Sequence, residues 1–204
     1  EINKSVEESR NGKIVSTIAN IILNEEYAKL TLESGAINLN VNSKTAIENR
    51  GSLVINDAII NVNNSSDIGV FNETNSSIAF TGEGSINAVG SSSTGLLNRS
   101  NTPAISNAKV TTTPTNAVGI KNEAICDIAF DNMNLSGAGV AFSEHSTGNT
   151  IINNSNLKST GNSSLISYPQ GAQSKLQITN SNLSGQLTVY DSRKKVEITN
   201  SSLK

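Results

Sequence analysis

Leu176-Gln177-Ile178-Thr179-Asn180-Ser181-Asn182-Leu183-Ser184-Gly185-Gln186-Leu187 decides how the chain folds. Leu176 and Ile178 alternate with polar residues, the period-2 pattern of a strand with one buried face. Asn180 follows Ile178 by two places, and an apolar residue returns at Leu183. The stretch is two short strands joined by a tight bend. Val196-Glu197-Ile198-Thr199-Asn200-Ser201-Ser202-Leu203 repeats the arrangement.

The same pair of apolar anchors recurs toward the N-terminus as Leu32/Ile37, Ile55/Ile60, Ile105/Val110, Phe130/Leu135 and Ile152/Leu157. A degenerate copy at Phe80 has polar Ser85 where the rule wants an apolar residue, with Ile86 one place late. Successive first anchors are separated by 23, 25, 25, 25, 22, 26 and 20 residues. Two places after each first anchor stand Ser34, Asp57, Gly82, Asn107, Asn132, Asn154, Asn180 and Asn200. These residue types accept left-handed backbone or bond their own main chain, so each marks a bend. A second motif lies between the copies: Gly69-Val70-Phe71-Asn72, Gly95-Leu96-Leu97-Asn98 and Gly119-Ile120-Lys121-Asn122. Ala46-Ile47-Glu48-Asn49, Gly139-Val140-Ala141-Phe142 and Ser164-Leu165-Ile166-Ser167 hold the equivalent place in their repeats.

Each repeat thus carries two or three strands of a few residues, with bends rich in Asn, Gly and Ser between them. A unit of 20 to 26 residues built this way is one coil of an all-β, right-handed parallel β-helix, a solenoid. One coil cannot bury its own apolar face. Stacked at about 4.8 Å, the coils place Ile on Ile and Leu on Leu, and Asn at equivalent bends can bond into ladders. A leucine-rich repeat needs a denser Leu ladder, and a propeller a unit nearly twice as long. Residues 1–29 read as an irregular first coil or cap and residues 30–204 as the solenoid, a piece of a longer protein.

Composition agrees with a narrow-bored coil. The 204 residues include 30 Asn, 30 Ser and 17 Thr, against seven Phe and Tyr together and no Trp, so an interior of mostly aliphatic side chains is expected. No apolar run reaches the length of a transmembrane helix. A net charge of −2 with scattered basic residues argues against nucleic acid as a partner. Cys126 has no second cysteine to pair with and reads as a small inward-facing residue.

The Leu176–Leu187 run, its repeat at Val196–Leu203 and the preceding Ser163-Ser164-Leu165-Ile166 resemble coils of the pertactin-like passenger domains of bacterial autotransporters, the group of the AIDA-type adhesins. The resemblance covers roughly residues 30–204. It implies a secreted, surface-displayed virulence adhesin carried across the outer membrane by a C-terminal barrel outside this chain. The implied partners are a host extracellular matrix protein, a glycan such as a glycosaminoglycan, or a second copy of the rod. Phage tail fibres and polysaccharide lyases and hydrolases share the architecture and form the alternative reading.

The search for chemistry yields little. His145, the single histidine, stands beside Glu144, an arrangement that suits either a general base with its carboxylate or a solvated turn. One His and one Cys cannot supply a zinc site, and no cofactor is implied. Glu123, Asp127 and Asp131 form the closest acidic group, with Glu144 one coil on. The expectation is a non-enzymatic protein. Binding is assigned instead to two tyrosine-bearing bends on adjacent coils: Tyr168, and Tyr190 with the basic run Arg193-Lys194-Lys195, where charge and ring stacking suit an anionic glycan.

Overall fold

The fold is that of a computed structural model, and it describes residues 7–8, 13–16, 22–39, 45–101, 104–168, 175–190 and 195–204. It is an all-β solenoid of stacked parallel strands, with no helix among the described residues. A representative coil runs Thr45–Asn49, Ser52–Asn56, Ala58–Val62. The next runs Ile68–Asn72, Ser77–Thr81, Ser85–Ala88. Strands of the first kind form an eight-stranded sheet, the first side. The second side consists of a three-stranded sheet ending at Ser77–Thr81 and a five-stranded sheet beginning at Ala104–Ser106. The third side is a ten-stranded sheet whose outermost member, Glu7–Glu8, pairs antiparallel with Lys13–Ser16. Within residues 1–29, Lys13–Ser16 and Ile22–Asn24 already run parallel with the following coils.

The apolar anchors stack in the register that their spacing predicts. Ile105, Phe130, Ile152, Ile178 and Ile198 lie level on the second side. Leu32, Ile55 and Phe80 do the same in its other sheet. Ile37, Ile60, Ile86, Val110, Leu135, Leu157, Leu183 and Leu203 form one column on the third side. Ile86 keeps its place because Gly82-Glu83-Gly84 adds one residue to the bend before it. Three of the four phenylalanines, Phe80, Phe130 and Phe142, fill the bore, the last two meeting edge to face at 5.0 Å. Fully burying one such side chain is worth about 1.5–3 kcal/mol, and the columns repeat that gain in every coil.

The bend between the second and third sides is also as the residue types predict. Asp57, Gly82, Asn107, Asn132, Asn154, Asn180 and Asn200 have φ between 48° and 58°, the left-handed region that Gly, Asn and Asp tolerate best. At Ser34 the left-handed residue is instead Gly35, with φ 96°.

Three expectations need correction. On the first side Ile120 pairs with Phe142 and Phe142 with Ile166. The segments level with Gly119-Ile120-Lys121-Asn122 are therefore Ala141-Phe142-Ser143-Glu144 and Leu165-Ile166-Ser167-Tyr168, displaced from the sequence alignment by two residues and by one. Gly139 serves a different purpose: a Cβ there would lie 2.3 Å from the Ala117 carbonyl oxygen. Cys126 is half-buried rather than inward. Residues 123–127 are a bend without strand alternation, and Ala124 takes the interior position.

Candidate binding surface

The residues singled out for binding lie at the corner where the first side passes to the second in the last coils. Tyr168 ends the strand Ser164–Tyr168 and pairs with Val189. Tyr190 follows Val189 directly and is 62% exposed. Arg193 and Lys194 lie outside the described residues. Lys195 opens the strand Lys195–Thr199 level with Lys175. The structure thus sets both tyrosine positions and Lys195 on neighbouring coils at one corner.

Lys195 is not a bare cation. Its Nζ stands 2.8 Å from Glu197 Oε1, while Lys175 Nζ stands 2.6 Å from Oε2, and Gln177 Nε2 donates to Oε2 at 3.0 Å. Hydrogen bonds from Lys175 and then Lys195 hold the Glu197 carboxyl down to about 2. An anionic ligand here would share two ammonium groups with Glu197 rather than meet them free. Lys175 stands twenty residues from Lys195 in the sequence and becomes its neighbour only through coil stacking.

The acidic residues do not converge. Glu123 accepts from Arg99 Nε at 2.8 Å and pairs with Lys121 at 2.5 Å. Burial pushes its carboxyl up, yet these two cations together hold it below its ordinary value. Asp127 accepts from the Asn149 backbone N at 2.7 Å, and Asp131 from Asn154 Nδ2 at 2.8 Å. No group of His, Cys, Asp and Glu among the described residues could hold a metal ion.

Glu144 and His145 separate because Glu144 is the buried last residue of the strand Val140–Glu144, while His145 lies just past it and is exposed. Glu144 points inward to the end of a buried ladder. Asn24 Nδ2 donates to Asn49 Oδ1 at 2.7 Å, Asn49 to Asn72 at 2.7 Å, Asn72 to Asn98 at 3.0 Å and Asn98 to Asn122 at 3.0 Å. Asn122 Nδ2 then donates to the Glu144 carboxylate at 3.2 Å, which also accepts the Ser146 backbone N at 2.6 Å. Burial raises the Glu144 pKa above its ordinary value. His145 faces outward, 2.8 Å from Ser143 Oγ through Nε2. Burial, then the nearby Lys121, depress its pKa and favour the neutral ring. The Glu144–His145 general-base pair is therefore not assembled.

The residues that follow each ladder position form a charge row, absent from the expectations above although the sequence spacing contains it: Glu25, Arg50, Glu73, Arg99, Glu123, His145. The signs alternate coil by coil, so each ionised member neighbours its opposite along the stack. Arg50 lies 3.8 Å from Glu25 and 2.5 Å from Glu48. Arg99 covers the Phe71 ring at 5.0 Å while pairing with Glu123. Exposed pairs of this kind contribute little stability each, but the row keeps that edge electrically balanced. The chain matches no protein-family profile, no curated protein and no solved structure.

Proposed function

We propose that the chain is a non-catalytic adhesive solenoid, the β-helical part of a bacterial cell-surface protein that binds a host matrix protein or glycan, or a second rod. The observation that carries this reading is how the polar groups are deployed. Glu48, Glu83, Glu123 and Glu197 are each tied to a Lys or Arg, whereas Asn134, Asn156 and Asn182 on the later coils present neutral amides at the strand-stacking interval. Adhesion from such a surface comes from many shallow contacts held in fixed register, with repetition supplying avidity.

The resemblance to autotransporter passengers supports surface display and agrees with the small-polar composition. The test is to screen the purified domain against glycans and matrix proteins while following turnover. Retention without turnover supports adhesion, and depolymerisation of a bound polysaccharide selects the glycan-processing alternative. Within the proposal, the corner of Tyr190 and Lys195 is the contact for anionic glycan. Changing Arg193, Lys194 and Lys195 together to Ser should weaken heparin retention with the melting temperature unchanged. Heparin binding indifferent both to that change and to about 0.5 M salt would remove this corner from the proposal.

A further inference from the structure

The amides of this solenoid are used in two ways, and the difference marks a second surface. On the outer face of the third side, the early coils tie their amides to one another. Asn61 Nδ2 donates to Asn38 Oδ1 at 3.0 Å, Asn87 Nδ2 to Asn61 Oδ1 at 2.8 Å, and Thr111 Oγ1 to Asn87 Oδ1 at 2.6 Å. In the later coils the outward column moves to Asn134, Asn156 and Asn182, which lie level and exposed. The side chains of Asn134 and Asn156 make no hydrogen bond among the described residues, and Asn182 only accepts from Ser202 Oγ at 2.9 Å. Asn is a poor strand residue, and these three side chains add almost nothing to the fold.

Two places earlier, the left-handed Asn132, Asn154 and Asn180 set a second exposed column at the bend, giving Asn-x-Asn in three successive coils. In it Asn132 Nδ2 donates to Asn107 Oδ1 at 2.7 Å and Asn154 Nδ2 to Asp131 Oδ1 at 2.8 Å, so this column is tied along the stack. The bend is rigid. Between the columns the buried Ser155 accepts the Met133 backbone N at 3.0 Å, Ser181 accepts that of Ser155 at 3.1 Å, and Ser201 that of Ser181 at 3.0 Å. Two places after Asn156 stands Lys158, exposed and facing the same way. Lys109, Lys121, Lys175 and Lys195 each pair with a glutamate, but Lys158 has no carboxylate partner among the described residues.

We propose that this strip binds an extended acidic polysaccharide lying along the solenoid axis. The amides of Asn134, Asn156 and Asn182 would exchange hydrogen bonds with its hydroxyls coil by coil, beside the bend that the bonded Asn132 and Asn154 hold in place, and Lys158 would meet a uronate carboxylate. A carboxamide offers a donor and an acceptor in one plane, which suits a sugar hydroxyl. Presentation from a rigid bend lowers the ordering cost of binding. The strip is separate from the Tyr190–Lys195 corner, and it rests on the adhesive reading for the nature of its ligand.

The test uses a hyaluronan oligosaccharide as probe, with dextran as the uncharged control. The wild-type chain should retain hyaluronan in preference to dextran. The triple variant Asn134→Ala, Asn156→Ala, Asn182→Ala should bind it roughly tenfold or more weakly with an unchanged melting curve. Lys158→Gln should also weaken binding and flatten its salt dependence, while the Ser substitutions at Arg193, Lys194 and Lys195 should leave it within about twofold of wild type. Hyaluronan bound equally by the wild type and the triple variant would overturn the strip and leave the adhesive reading standing. Binding through the strip accompanied by cleavage would keep the strip and overturn the non-catalytic reading. Failure of the wild type to retain hyaluronan at millimolar concentration would overturn the strip whatever the other partners prove to be.

Discussion

Asn72 and Asn156 are the same residue in the same repeat architecture, and they serve opposite ends. Asn72 is wholly buried, donates to Asn98 and accepts from Asn49 and Ser76. Asn156 stands in water with its amide unengaged. The early coils spend their amides on the interior of the first side. Beyond Glu144 that ladder position passes to Tyr168 and Val189. There the exposed amides crowd instead onto the bend between the second and third sides. Abundance of Asn therefore says little by itself, since its meaning is set by which side of the strand it occupies. A buried amide must have its partners supplied, so the inner ladder is all or nothing, whereas the outer column can be edited freely.

The largest expected effect ignores this contrast and tests the stack that both regions share. Ile178 is fully buried, level with Ile152 and Ile198. Ile178→Asp places an unpaired charge in that column and should cost more than about 4 kcal/mol, enough to lose the cooperative transition in urea. A melt close to wild type would mean that the column is not the core.

Next in size is Asn72→Ala, which cuts the inner ladder at its centre. Asn49 Nδ2 keeps the Ser77 carbonyl at 2.8 Å and Asn98 Oδ1 keeps the Ser100 N at 3.3 Å, so the loss is partly cushioned. A destabilisation of about 2 kcal/mol is expected in equilibrium unfolding. A value near zero would show that the ladder decorates the interior rather than supporting it.

Glu144→Gln probes where the ladder ends. Because burial holds the folded-state pKa of Glu144 above its ordinary value of 4.5, the native protein binds the proton more tightly than the unfolded chain. Its contribution to stability is then full below that ordinary value and declines as pH rises through the folded-state pKa. Gln keeps an acceptor for Asn122 and Ser146 without the charge. The variant should be more stable than wild type at neutral pH, and its stability should vary less with pH above 4.5. Glu197 runs the other way: held at about 2 by Lys175 and Lys195, its contribution disappears as pH falls toward that value. Unfolding curves across pH 2–8 for Glu144→Gln, set against wild type, separate the two groups, and unchanged pH dependence above 4.5 would acquit Glu144.

These cases also show what the residues alone could tell. The anchor columns were legible down to the one-place slip at Ile86, because a stacked coil makes every copy answer to the same partner above and below. The left-handed bends were legible because only a few residue types tolerate that backbone. The first side was read less well. Glycine marks close backbone approach both at Gly95, where a Cβ would meet the Gly119 carbonyl oxygen at 2.7 Å, and at Gly139, where one would meet the Ala117 carbonyl oxygen at 2.3 Å. But Gly139 stands two residues before the level position, so the shared glycine misaligns the motif. The Lys175–Glu197–Lys195 cluster was hidden because its members are neighbours only across coils. Bonded and idle amides likewise look identical in a sequence, since the difference lies in which column of the stack each amide joins and what stands above and below it.

The smallest effect is the one that gives the comparison its edge. Asn156→Ala removes an exposed side chain with no hydrogen bond to lose, while its backbone N, bonded to the Met133 carbonyl oxygen at 2.8 Å, stays in the coil. Alanine is itself a weak strand former, so no propensity gain masks the result. Stability should move by no more than about 0.5 kcal/mol in either direction. Set beside Asn72→Ala, measured in the same buffer, this yields a difference of about 1.5 kcal/mol or more between two identical substitutions. Equal losses at the two positions would mean that Asn156 is held by contacts the fold requires, and its amide would then be structural rather than available to a ligand.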